Sequence, residues 1–150
     1  MNVTFRSALY YAHCVTLGSV FTGITADRLW STVSGGPWEP LLYGSRSDWI
    51  FPVICIAVLT AARMLRRTDP RWKTAVIDSI LYLTTFIACI AASAVMRGDA
   101  AADAIDGAFF IATLAMFTLQ LPAAWALIAW CSGHLETSPA QAERTASVSG

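Results

Sequence analysis

Four long apolar runs constrain this chain more than any other feature. They cover residues 7–26, 49–65, 75–96 and 107–131, and the charged residues gather between them. A helix needs about 20 apolar residues to cross the hydrocarbon core of a bilayer, within a range of about 17–25. Three runs have that length, and the second has it if Arg63, near its end, extends its guanidinium to the membrane surface. Only 13% of the residues are charged, against about 25% in soluble domains, so the runs predict an integral membrane protein.

The predicted fold is all-α: an antiparallel bundle of four transmembrane helices that forms one domain over residues 1–131. The helices are expected at about residues 7–26, 49–65, 74–96 and 105–131, with Pro122 placing a kink in the last. Residues 27–48 hold Gly, Pro, Trp and Tyr, a composition typical of an interfacial loop; a loop that re-enters the membrane stays an alternative. Residues 132–150 turn polar without apolar periodicity, which predicts a disordered cytoplasmic tail.

The segment between the second and third runs sets the orientation. It carries half of the ten cations, namely Arg63, Arg66, Arg67, Arg71 and Lys73. Short loops rich in Lys and Arg stay in the cytoplasm, so both termini are predicted to lie inside, and the cations are expected to meet anionic lipid headgroups. Arg outnumbers Lys nine to one, which favours a GC-rich bacterial genome and hence the bacterial cytoplasmic (inner) membrane.

Small residues recur every four positions on the first predicted helix. The series Cys14, Gly18, Thr22 and Ala26 forms a ridge on one face. Small residues let helix backbones approach closely in lipid, so this ridge is predicted to pack against neighbouring helices. The four cysteines fall one in each run without a Cys-x-x-Cys pair, which disfavours a redox or zinc motif.

Four polar residues inside the runs are the candidate functional positions. With both termini inside, His13 and Asp78 lie at similar depth below the cytoplasmic boundary, at about 1.5 Å per residue, so they are expected to be able to meet. Tyr82 follows Asp78 on the same helix face, and Gln120 lies near mid-membrane. Ionisable residues at such depth suggest a function by default, here a proton or small-ion path. The structural alternative pairs Asp78 with Arg71 or Lys73 and makes Gln120 a hydrogen-bond link between helices.

No motif for catalysis, metal binding or cofactor binding is present, and the formal net charge of zero disfavours a nucleic-acid partner. We therefore expect a non-enzymatic membrane component without cofactor or metal: an accessory, partner-binding subunit or a membrane protein of phage or mobile-element type. The alternative is a small oligomeric transporter, channel or holin-like pore that uses His13, Asp78 and Gln120. The expected partners are the lipid bilayer and either a larger membrane protein or further copies of the chain.

Overall fold

The computed structural model describes residues 4–35, 43, 49–66 and 71–134. These residues form five helices and no strand, which confirms the all-α prediction. The helices are α1 (Phe5–Ser34), α2 (Ile50–Leu65), α3 (Arg71–Met96), α4 (Ala101–Phe117) and α5 (Gln120–His134). Most of the predicted interfacial loop, the cation Arg67 and the predicted tail from residue 135 onward lie outside the described residues.

Helix α1 continues eight residues beyond its predicted end at residue 26. Thr4 caps its start, because the side-chain hydroxyl accepts a hydrogen bond from the Ser7 backbone N–H. The helix ends at Gly35, whose φ of 71° is the left-handed conformation typical of a glycine C-cap. The apolar run ends at the charged residue Asp27, but a charge ends only the apolar pattern. The helix itself continues until the first glycine after Gly23.

Helices α2 and α3 begin and end close to the predicted positions. With 16 residues, α2 is about 24 Å long. Helix α3 starts three residues before the expected residue 74 and has 26 residues. A short turn then leads to α4. In this turn Gly98 has a φ of 102°, and the Asp99 N–H donates a hydrogen bond to the Ala94 carbonyl. Such a short connection makes α3 and α4 antiparallel neighbours.

The single helix predicted over residues 105–131 is wrong, because the chain breaks there into α4 and α5, which are bent by 68°. The break lies at Thr118 and Leu119, and Leu119 has a φ of 62°. A proline removes the hydrogen bond to the carbonyl four residues earlier, and its ring clashes with that carbonyl. For Pro122 that carbonyl belongs to Thr118. The predicted kink is therefore a full break, and it lies one turn before the proline.

The contacts between helices fix their relative directions. Helix α1 packs on α2 and α5, and α3 packs on α2, α4 and α5. As α1 advances, its partners on α2 and α5 move backward along the chain. On α2, Tyr11 lies against Arg63 and Thr16 against Cys55, and on α5, Gly18 lies against Leu127 and Gly23 against Gln120. Hence α1 and α3 run in one direction and α2 and α5 in the other. The fully buried core side chains include Val15, Cys55, Leu59, Phe86, Leu121 and Ile128.

Only part of the predicted four-span arrangement is supported by helix length and composition. In the described ranges, α3 is long and apolar enough to cross a membrane: its residues 72–96 form the candidate span, and an 18-residue window within them has a mean hydropathy of 2.0. The bent pair α4 and α5 passes the same test when taken as one broken span, and α2 is apolar but shorter. One or two helices are thus able to cross, so the four-span bundle is not confirmed.

Candidate functional site

A buried charge cluster joins α1, α2, α3 and α5 at one end of the protein. We call Tyr11, Arg63, Arg66, Asp78 and Ser132 the charge cluster. The Asp78 carboxylate is fully buried and accepts from three donors: the Arg63 Nε at 3.0 Å, the Arg66 Nη2 at 2.8 Å and the Tyr11 hydroxyl at 2.9 Å. Both carboxylate oxygens are therefore occupied by donors from α1 and from the end of α2.

Arg63 occupies the centre of the charge cluster. Its Nη2 donates to the Ser132 hydroxyl at 2.7 Å, and its guanidinium carbon lies 3.7 Å from the centre of the Tyr11 ring, within the range of a cation–π interaction. The residue is 7% exposed. The expectation that Arg63 reaches the membrane surface is wrong, because the buried carboxylate of Asp78 holds the guanidinium inside.

The structure gives Asp78 two arginine partners, Arg63 and Arg66, that the sequence did not suggest. Lys73 is exposed, with its ammonium 5.6 Å from the centre of the Trp72 ring, and the Arg71 side chain is outside the described part of the structure. Arg63 and Arg66 are three residues apart at the end of α2, so they lie on one helix face. Two arginines at this spacing, followed by an acid in the second turn of the next antiparallel helix, form the sequence pattern from which this cluster could have been predicted.

A second polar group lies at the start of α5. We call Ser19, Tyr43, Tyr82 and Gln120 the hydroxyl–amide cluster. The Tyr82 hydroxyl lies 2.7 Å from the Ser19 hydroxyl and accepts from the Gln120 Nε2 at 3.3 Å. The same amide nitrogen donates to the Tyr43 hydroxyl at 2.6 Å. The cluster therefore links α1, α3 and α5 directly after the break between α4 and α5.

Helix α1 approaches this cluster closely at Gly23. A Cβ atom at this position would lie 2.9 Å from both the Cβ and the Oε1 of Gln120. Gln120 is fully buried, and its Oε1 has no hydrogen-bond partner among the described residues. Since a buried polar atom without a partner is costly, the amide of Gln120 is the least satisfied group of the hydroxyl–amide cluster.

A layer of mainly apolar side chains, which we call the apolar layer, lies between the two polar clusters, and the buried residues Thr16 and Thr60 are the polar ones among the described residues at this level. Asp78 and Tyr82 are one turn apart on α3, about 6 Å along the helix axis. Between their levels the other helices contribute Val15 from α1, Leu59 from α2 and Ile128 from α5, each buried to 1% exposure or less. No hydrogen bond joins the two clusters within the described ranges.

The structure brings together only some of the residues of the predicted ion path. Tyr82 and Gln120 meet in the hydroxyl–amide cluster, and Asp78 lies in the charge cluster. His13 is exposed, and its Nδ1 lies 2.8 Å from the Leu9 carbonyl oxygen of its own helix. Two residues along a helix correspond to about 200° of rotation, so His13 points away from the face on which Tyr11 contacts Asp78. His13 and Asp78 are therefore not brought together.

The small-residue ridge lies beside the buried face of α1. Cys14, Gly18, Thr22 and Ala26 are all half-buried. At Gly18 the approach of α5 is close, since a Cβ atom would lie 2.8 Å from the Leu127 Cδ1. The hydroxyl of Thr22 donates to the Gly18 carbonyl at 2.8 Å, so this polar side chain makes its hydrogen bond within its own helix.

Two apolar grooves lie on the outer surface. One, of about 300 Å³, runs between α3 and α5 and contains the small residues Ala75, Ser79 and Ala129 beside Trp125. The other, of about 570 Å³, runs between α2 and α3 beside Ile54. Within the described residues no three His, Cys, Asp or Glu side chains are close enough to hold a metal ion.

Comparison with other proteins gives no relative. No protein-family model matches the chain, and no curated protein or solved structure matches it.

Proposed function

We propose that this protein is a non-enzymatic, multi-pass component of a bacterial cytoplasmic membrane that works by binding a membrane-embedded partner. The partner is a helix of a larger membrane protein or of a second copy of the chain. Large apolar side chains point outward on all five helices, among them Phe21, Val53, Ile80, Phe109 and Trp130. Soluble monomers rarely expose so much apolar surface, which supports a lipid environment.

The proposed placement has four crossings, with both termini in the cytoplasm and α4 and α5 as one broken span. The lower hydropathy of α1 fits this placement, because its polar residues Thr16 and Ser19 face inward while Leu17 and Phe21 face outward. The hydroxyls of Ser19 and Thr25 bond to carbonyls of their own helix, as a helix in lipid requires. The cations around the end of α2 and the start of α3 set the direction.

Cysteine labelling tests the placement, because Lys73 and Asp99 are exposed near opposite ends of α3. In intact cells a membrane-impermeant maleimide is expected to label Asp99→Cys and to label Lys73→Cys only after permeabilisation. The unsubstituted protein gives the background from the four native cysteines. Equal labelling of both variants in intact cells would refute the placement.

The observation that carries a binding role over a transport role is the apolar layer between the two polar clusters. A proton or ion path needs a continuous line of polar groups or water, and Val15, Leu59 and Ile128 interrupt that line. Asp78 already accepts from three donors, so its carboxylate serves as an internal tie between helices. In this proposal the buried polar groups hold the helices together, and the outer surface binds the partner.

The groove between α3 and α5 is the surface best suited to a partner helix. Helix association in lipid is driven by close packing, which small residues permit, and Ala75, Ser79 and Ala129 line this groove. A photo-crosslinking residue in place of Ser79 is therefore expected to give a discrete protein adduct in native membranes. The matched control replaces Phe109, which is exposed on α4, and is expected to give only lipid adducts. Absence of a protein adduct at Ser79 would contradict the proposal.

A second candidate function is a small oligomeric transporter or pore. The break between α4 and α5 favours it, because substrate sites in membrane transporters commonly lie at discontinuous helices. The buried Oε1 of Gln120 lies next to this break and has no hydrogen-bond partner among the residues that the structure describes. Proton and cation flux into vesicles that contain the purified protein tests this candidate. Flux above that of protein-free vesicles that is lost in Gln120→Leu would favour the transporter, whereas background flux would favour the binding role.

A further inference from the structure

The charge cluster carries more positive than negative charge. Arg63 and Arg66 contribute two guanidinium groups, while Asp78 contributes the one carboxylate, and Tyr11 and Ser132 add hydroxyl groups. Because both oxygens of Asp78 already accept from these partners, the carboxylate neutralises one guanidinium, and a net charge of +1 is left when the described residues of the cluster are counted. A buried net charge calls for a counter-ion.

The unused donor capacity of the cluster lies on Arg66. Its Nη2 donates to Asp78, whereas its Nη1 is buried and has no hydrogen-bond partner in the part of the chain that the structure describes. The Arg66 side chain is 18% exposed, compared with 8% for that of Arg63. Arg66 thus lies closer to the surface than Arg63, at the edge of the cluster, and a small rotation of its guanidinium would turn the buried Nη1 toward an anion outside.

We propose that Arg66 binds a phosphate group, carried by an anionic lipid headgroup or present as a free anion, which completes the charge cluster. A phosphodiester has a charge of −1, equal and opposite to the excess charge of the cluster. The planar fork of a guanidinium matches phosphate oxygens in pairs. The position also fits a headgroup, since the exposed Trp72 and Lys73 begin the next helix, and Trp and Lys typically lie at the membrane interface.

We expect the protein to fold without Arg66, so substitution tests the proposal. In Arg66→Gln the carboxylate of Asp78 keeps Arg63 and Tyr11, and the remaining ion pair is balanced. Arg66→Lys retains the charge but loses the guanidinium fork. The matched control is Arg6→Gln, which removes an exposed cation near the start of α1, at the same end of the protein as Tyr11.

The experiment measures thermal unfolding of the full chain by circular dichroism in an uncharged maltoside detergent. Phosphatidylglycerol, phosphatidylcholine or sodium phosphate is added, with sodium chloride at equal ionic strength as the reference. Phosphatidylglycerol is expected to raise the Tm of the unsubstituted protein and of Arg6→Gln by about 4 °C or more relative to phosphatidylcholine, because a ligand of the folded state stabilises it. The rise is expected to be lost in Arg66→Gln and to be smaller in Arg66→Lys. Native mass spectrometry is expected to show phosphatidylglycerol retained by the unsubstituted protein and not by Arg66→Gln.

The two phosphate sources are distinguished by the added compound. A rise that depends on Arg66 with phosphatidylglycerol alone assigns the site to a lipid headgroup, and one with sodium phosphate assigns it to a free anion as well. An equal rise in Arg66→Gln and the unsubstituted protein, or no rise with either compound, would overturn the proposal. The lipid source rests on the membrane placement proposed above, whereas the sodium phosphate measurement does not. If cysteine labelling contradicts the membrane placement, the sodium phosphate measurement therefore still decides whether Arg66 binds an anion.

Discussion

Replacement of Asp78 by alanine is the sharpest test of the role of the charge cluster. The substitution removes the one carboxylate of the cluster and leaves its two guanidinium groups without a counter-charge, although Arg63 keeps its hydrogen bond to Ser132. Arg66 is partly exposed and can turn toward the surface, but Arg63 is held under the Tyr11 ring with its side chain 8% exposed. The cost therefore comes chiefly from Arg63, as a buried cation that has lost its counter-ion.

The size of this effect follows from measurements on comparable pairs. Removal of one partner of a buried ion pair lowers stability by about 3–5 kcal/mol, and domains of this size have about 5–15 kcal/mol in total. Asp78→Ala is thus expected to lose about 4 kcal/mol, a large share of the folding free energy. The assay is unfolding of the detergent-solubilised protein, titrated with sodium dodecyl sulfate and followed by tryptophan fluorescence.

Two controls separate the ion pair from charge in general. Asp103→Ala removes an acid from the exposed first turn of α4 and is expected to cost about 1 kcal/mol or less. The triple variant Arg63→Met, Arg66→Met, Asp78→Leu replaces the cluster by apolar side chains and is expected to be more stable than Asp78→Ala, because it leaves no charge unpaired. A loss in Asp78→Ala no larger than that in Asp103→Ala would refute the structural role of the cluster.

Three further substitutions test the break and the hydroxyl–amide cluster by the same unfolding assay. Gly23→Ala is expected to cost about 1–3 kcal/mol, because its Cβ would lie 2.9 Å from Gln120. Its control, Gly107→Ala, is expected to gain up to about 1 kcal/mol, because the added Cβ meets no atom of the described residues within 4 Å. Equal effects of the two substitutions would contradict the close approach of α1 and α5. Tyr82→Phe removes the hydroxyl between Ser19 and the amide of Gln120 and is expected to cost about 1–3 kcal/mol; a cost below about 0.5 kcal/mol would show that this hydroxyl is not an essential link. Leu119→Gly relieves a φ of 62° and is expected to gain about 1 kcal/mol, with Leu119→Ala as the control that retains the strain and gains nothing.

The sequence predicts the ends of a helix well where the helix and its apolar run have the same limits, and poorly where these limits differ. The limits of α2 follow from the apolar run alone. Helix α1 extends past its run because Asp27 is charged but compatible with a helix, so only Gly35 ends it. The break at Thr118 is hidden within a continuous apolar run, and Pro122 indicates its position only to within one turn.

The candidate site was predictable in its residues but not in its pairings. Asp78, Tyr82 and Gln120 stand out in the sequence because polar residues are rare in apolar runs. Their partners depend on helix rotation, which depth alone does not supply. His13 lies at the depth of Asp78, but on the face of α1 opposite to that of Tyr11. The offset of two residues between Tyr11 and His13 therefore decides that Tyr11 reaches the carboxylate and His13 does not. Arg63 was expected at the surface because a lone cation in lipid moves outward; the nearby acid reverses that preference.

In the membrane placement proposed above, the charge cluster helps the helices to reach a single alignment. Apolar packing between helices gives little preference for register in a bilayer, because lipid tails are as apolar as the side chains. A slip of one turn moves a helix by about 5.4 Å. Such a slip of α2 against α3 would carry Arg63 out of reach of Asp78, whereas most apolar contacts that are lost would be replaced by new ones. Tyr11 and Ser132 extend the same constraint to α1 and α5. The cluster therefore fixes the register of four helices at one end, and the excess positive charge that it leaves there favours the cytoplasmic side for the same end.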